Sequence, residues 1–109
     1  RSWAQQNSKD LVGFIRAYRE SVSWLYDPAN KQAAIELFLS KVQGSTPESA
    51  AVSYGVLLDP KNGFTRDAKV SEAGTRAVLQ LREKFGQPSR KMKGIDAYYD
   101  PTWYNQSSR

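Results

Sequence analysis

The 109-residue chain contains no cysteine and no histidine. Their absence removes disulfides, thiolate nucleophiles and imidazole bases, and with them the common zinc, copper and haem sites. Only carboxylates, hydroxyls, lysines and tyrosines remain for chemistry. Missing cysteine does not assign a compartment, because exported bacterial proteins also fold without disulfides. No run of about 18 apolar residues occurs, and Arg16, Arg19 and Glu20 interrupt the longest helical pattern, so nothing reads as a bilayer span. Also missing are a phosphate-cradling glycine loop, a dinucleotide fingerprint, an internal repeat, a sustained heptad array and any strand of convincing length. The N-terminal Arg1-Ser2-Trp3 carries neither an initiator methionine nor an export signal, which leads us to expect a natural start further upstream.

What is present is material for a core. Hydrophobic residues make up 39% and charged residues 25%, and three Trp, six Tyr and four Phe are spread along the chain, so folded structure is expected. The length suits one small domain. Sixteen Lys and Arg against eleven Asp and Glu give a net charge of +5. A nucleic-acid surface needs such charge gathered on one face. Along the sequence it reads as dispersed, with Arg90, Lys91 and Lys93 the densest group, and no nucleic-acid partner is expected.

Apolar periodicity and capping residues predict four helices. Over 8–26, Leu11, Ile15, Tyr18, Val22 and Leu25 recur at helical steps, with Asn7 placed to cap and Asp10 in the first turn. Asp27-Pro28 closes that helix and opens the next over 28–42, whose apolar face is Ile35, Phe38, Leu39 and Val42, with Gly44 as a left-handed stop. Ser45-Thr46-Pro47-Glu48 starts a third over 47–58, with a stripe of Ala51, Tyr54 and Leu58 and an unfavourable Gly55 inside it. After the turn Asp59-Pro60-Lys61-Asn62-Gly63, in which Asn-Gly is expected to take positive φ, Ser71 caps a fourth helix over 72–85. There Gly74, Val78, Leu81 and Phe85 share a face and Gly86 stops the run. Residues 87–109 read as a tail. Asp100-Pro101 can open one last helical turn, and Tyr98, Tyr99, Trp103 and Tyr104 imply that the tail docks on something apolar.

Two constellations bear on chemistry. Asp59, Asp67 and Glu72 could supply a carboxylate pair, but the neighbouring Pro60, Gly63 and Ser71 already account for them as turn and cap residues. With Asn62 they loosely resemble calcium ligands, yet the spacing of a calcium loop is absent and Lys61, Arg66 and Lys69 stand among them. No catalytic residue, metal ligand or cofactor is expected, and the sequence names no ligand-binding residue. Aromatics at helical spacing read as core before they read as stacking platforms.

Several stretches, in order, resemble one family. Phe14-Ile15-Arg16-Ala17-Tyr18-Arg19, Trp24-Leu25-Tyr26-Asp27-Pro28-Ala29-Asn30 and Ala34-Ile35 resemble the C-terminal region of solute-binding proteins of nitrate, sulfonate and taurine type ABC importers. Trp3-Ala4-Gln5 with Asn7 looks like the approach to that region. Leu57-Leu58-Asp59-Pro60, Gly63-Phe64, Arg66-Asp67, Ala73-Gly74 through Leu81-Arg82, Phe85-Gly86 and the closing Tyr98-Tyr99-Asp100-Pro101 with Trp103-Tyr104 continue the likeness over nearly the whole chain.

The resemblance implies a parent of two α/β lobes with the type II periplasmic-binding-protein fold, closing by a hinge on a small solute and delivering it to a membrane permease. Residues 1–109 would form one mainly α C-terminal segment of that parent, non-enzymatic and periplasmic or otherwise extracytoplasmic. Its solute, anionic or heterocyclic, would be held by upstream lobes absent from this sequence. Two other functions remain open: an enzyme on the same fold, like the pyrimidine synthases of thiamine biosynthesis, and a small basic helical nucleic-acid module. Self-association of the segment is a further expectation, motivated by its aromatic tail.

Overall fold

The computed structural model describes residues 2–108, which form six α-helices and two 3-10 turns with no strand among them. The helices are α1 (Ser2–Gln6), α2 (Ser8–Tyr26), α3 (Lys31–Lys41), α4 (Pro47–Leu57), α5 (Glu72–Phe85) and α6 (Thr102–Ser107); the 3-10 turns are Pro28–Asn30 and Ile95–Ala97. The chain is mainly helical. It divides into two compact units: residues 16–68, and residues 1–15 with 69–109, so that α2 runs through the division.

Within the unit of residues 16–68, α3 and α4 pack against each other, and Leu25 near the end of α2 meets them by accepting from the Tyr54 hydroxyl. Its buried apolar residues are Val22, Ala34, Ile35 and Ala50. Small side chains dominate because the α3 and α4 backbones come close: Ala50 is 1% exposed and Ala34 6%. The α4 face turned inward is therefore Ala50 with the half-buried Tyr54, while Ala51 of the expected stripe is exposed.

Capping chemistry sets the helix starts. Asp27 Oδ1 accepts from the Ala29 N–H at 2.9 Å, and the Asn30 N–H reaches the Asp27 carbonyl at 3.0 Å. These short-range bonds wind Pro28–Asn30 as a 3-10 turn, so the α-helix expected from residue 28 begins at Lys31. Thr46 Oγ1 accepts from the Ser49 N–H at 3.2 Å while Ser49 Oγ accepts from the Thr46 N–H at 2.8 Å, a reciprocal capping box at the start of α4. Ser71 caps α5 by accepting from the Gly74 N–H at 3.0 Å. Asn7 does otherwise than expected: its side-chain amide donates to the Trp3 carbonyl at 2.9 Å, finishing α1 rather than capping α2.

At α4 the Glu48 carboxyl lies below its ordinary value, first because its own backbone N–H donates to it and second because the Thr46 hydroxyl does, with a small opposing desolvation. A depressed folded value contributes stability that is present above the unfolded value and is lost as pH falls through the folded one. Thr46→Ala removes both the cap and one of these donors. It is expected to cost about 1 kcal/mol in urea titrations, with a weaker loss of stability on acidification than the parent shows.

Positive φ is found at Gly44 (78°) and at Ala68 (56°), not at the Asn62-Gly63 pair. Gly44 is the left-handed stop after α3. Ala68 carries a Cβ in that same region, so Ala68→Gly is expected to stabilise the chain by up to about 1 kcal/mol, the relief of strain exceeding the entropy added to the unfolded state. A rise in the urea midpoint at constant slope would register it; a fall would show the strain to be absent.

The unit of residues 1–15 with 69–109 has a thinner interior. Among its described residues only Ser107 is buried. On α5 the partly protected positions are Thr75, Leu79 and Arg82, whereas Val78, Leu81 and Phe85 of the expected inward stripe are 64%, 56% and 66% exposed. The tail folds into α6. Tyr99, Trp103 and Tyr104 are half-buried and Lys69 Nζ lies 6.0 Å from the Tyr104 ring, but Tyr98 stays exposed.

Candidate functional site

Two concave features lie in the unit of residues 16–68. An apolar cavity of about 50 Å³ is lined by Leu25, Ala34, Ile35, Phe38, Ala50, Tyr54, Leu57, Leu58 and Phe64. The Tyr54 hydroxyl, which could have made it polar, instead donates to the Leu25 carbonyl at 3.0 Å. A site of that volume holds a water or two at most, and its lining offers such waters no partners. It is a packing gap.

Larger and open is a groove of about 520 Å³ lined by Ala17, Glu20, Ser21, Trp24, Leu25 and Leu37. Its volume falls in the range of small-molecule sites, and Trp24 supplies an aromatic wall. The charge is wrong for an anion. Glu20 is the ionisable residue of the lining, and a carboxylate repels a sulfonate or nitrate at close range.

Asp59 and Glu72 each serve a local role. Asp59 Oδ1 accepts from the Lys61 and Asn62 N–H groups at 3.0 and 2.7 Å, organising the turn after α4. Asp67 is exposed near the end of the same loop. Glu72 belongs to the other unit, in the first turn of α5, where its Oε1 pairs with Arg76 at 2.7 Å. No cluster of three acidic side chains able to hold a metal ion occurs among the described residues.

Sequence reasoning missed the aromatic and cationic contacts that close the loop. The Tyr26 hydroxyl donates to the Phe64 carbonyl, and the Arg66 guanidinium lies 4.6 Å from the Tyr26 ring centre. This joins the end of α2 to residues 64–66 and engages the Tyr26 ring face with a cation of the same chain. No signal at the level of spacing reveals it, since the partners are about 40 positions apart.

The charge is partitioned. Ten of the sixteen Lys and Arg but only five of the eleven Asp and Glu lie in the unit of residues 1–15 with 69–109; the other unit has six of each. The excess of +5 therefore belongs to one unit. Comparison with family models, curated proteins and solved structures finds no match to this chain.

Proposed function

We propose that this chain is part of the solute-binding component of an ABC importer, a non-enzymatic protein that captures a small anionic or heterocyclic solute outside the cytoplasm and passes it to a membrane permease. The segment supplies lobe packing, and the solute is held elsewhere in the parent. Beside the ordered sequence resemblance, one observation carries this reading: α4 and α5 are well capped, but the apolar faces of the helices are left unfilled. Among the described residues four hydrophobic ones are buried, while Val52 and Val56 of α4 are 67% and 63% exposed and Trp24 and Leu37 stand open in the groove. A helical segment that packs against further protein presents such faces, whereas a free-standing domain buries them.

The groove supports the same division of labour. It has the volume for a small molecule but no cation or helix N-terminus to hold an anion, as the upstream strand ends and loops of an α/β lobe would. Calorimetric titration of the full-length gene product with nitrate, alkyl sulfonates and pyrimidines tests the proposal. Saturable binding to one of these, retained when Glu20 and Trp24 are replaced by alanine, is the expected result. Turnover of a pyrimidine precursor in place of reversible binding would move the parent to the enzyme class.

A further inference from the structure

The apolar face of α5 combines three properties that no lobe-packing role requires. First, it is a ridge. At 100° per residue Val78, Leu81 and Phe85 fall within about 60° of arc, and each is more than half exposed. Second, it is bordered by cations. Arg82 and Lys84 occupy the positions on either side of the ridge, while Glu72 and Glu83 lie about opposite it. The acids are engaged there: Glu72 pairs with Arg76, and Glu83 Oε1 accepts from the Met92 N–H at 2.8 Å. Third, the bond to Met92, with that from Arg82 Nη1 to the Pro88 carbonyl at 3.2 Å, ties the exposed Arg90, Lys91 and Lys93 to the last turn of α5. Their charge adds to the field at the Phe85 end, in the unit that carries the whole +5.

We propose that α5 docks on an anionic lipid surface, lying in the plane of the interface with Val78, Leu81 and Phe85 inserted among the acyl chains and Lys84, whose ammonium lies 5.2 Å from the Phe85 ring centre, at the level of the head groups. This is independent of the importer reading. A strongly amphipathic helix of low overall hydropathy, with Leu and Phe on one face and Lys and Arg beside it, has the composition of an interfacial helix. Lys84 keeps its ammonium in the polar layer while its stem covers apolar surface. No helix among the described residues is long and apolar enough to cross a membrane, so the association is peripheral.

The ridge fits other occupants less well. Three side chains at these exposures offer roughly 300–400 Å², below the roughly 800 Å² per partner of a stable protein interface, whereas insertion into a bilayer has no such threshold. Duplex nucleic acid would use the cations but leave the apolar ridge in water.

The test is co-sedimentation of the chain with vesicles of phosphatidylcholine alone and of phosphatidylcholine mixed with phosphatidylglycerol, followed by circular dichroism of every variant. Binding to the mixed vesicles is expected, at least about tenfold above the neutral ones. It should fall about tenfold in Phe85→Ser and in Leu81→Ser, and severalfold in Lys84→Gln and at high salt. The ridge is exposed, so helicity should survive; a variant that loses it is replaced by Val78→Ser, which removes less area. Three results would overturn the proposal: no binding to anionic vesicles, equal binding to neutral ones, or binding that Phe85→Ser leaves intact. So would a dimer dissociated by Phe85→Ser, or duplex binding tighter than vesicle binding.

Discussion

Gly63→Ala is expected to destabilise the unit of residues 16–68 by about 3 kcal/mol. The cause is backbone crowding. A Cβ at position 63 would stand 2.7 Å from both the amide nitrogen and the carbonyl oxygen of Asp59, and closer still to the Leu57 carbonyl. None of these atoms can turn aside as a side chain would, because the Gly63 and Phe64 N–H groups donate to the Asp59 and Leu57 carbonyls at 2.9 and 2.8 Å. Moving the loop outward breaks those bonds and draws Phe64 from the apolar cavity it lines. Gly55→Ala is the control: nothing lies within 4 Å of a Cβ there, and an exposed helical glycine replaced by alanine should gain about 1 kcal/mol. Urea titration of both variants decides it, and a mild loss at position 63 would mean that the loop does not fold back on α4 as described.

The second large effect is expected at Ile35, where truncation to alanine should cost about 3 kcal/mol. Ile35 is 9% exposed and lines the existing cavity of about 50 Å³, so the lost side chain enlarges a void that Val22, Ala34 and Ala50 are too short to fill. Against a total stability of about 5–15 kcal/mol for a small domain, such a loss is severe. Leu37, two residues on, is 53% exposed, and Leu37→Ala should change stability by less than about 0.5 kcal/mol. Similar losses at both positions would contradict the assignment of the α3 face. The pair also separates core packing from lobe packing, because Leu37 should become costly to remove only in the full-length protein.

Helix positions were legible because their causes are local. Thr46 and Ser71 cap the helices expected of them, Asp27 caps the 3-10 turn that precedes α3 instead of α3 itself, and the spans over 8–26 and 72–85 match α2 and α5 to the residue. Short elements gave less away: α1 has five residues, too few for a periodic pattern. What local pattern does not carry is the surface a stripe meets. Val78, Leu81 and Phe85 share a face as their spacing requires, yet that face looks outward, since periodicity specifies an angle and not a partner. The same holds for Ala50 and Ala51. Charge is partly legible in the sequence, since residues 69–109 alone hold eight Lys and Arg against four Asp and Glu, most of the excess of their unit. Asn62-Gly63 looked like a positive-φ turn, but the Asp59 side chain organises the loop and the glycine serves a close approach instead.

The measurement that bears most directly on the proposed function is the sequence of the reading frame upstream of Arg1. If the chain belongs to an importer's binding protein, that frame encodes an export signal followed by alternating strands and helices sufficient for two lobes, with cationic or helix-terminal groups at the strand ends to hold the solute. Translation beginning a few residues before Arg1 would contradict it, leaving the exposed faces of α4 and of the Trp24 groove without the lobe that they are proposed to meet.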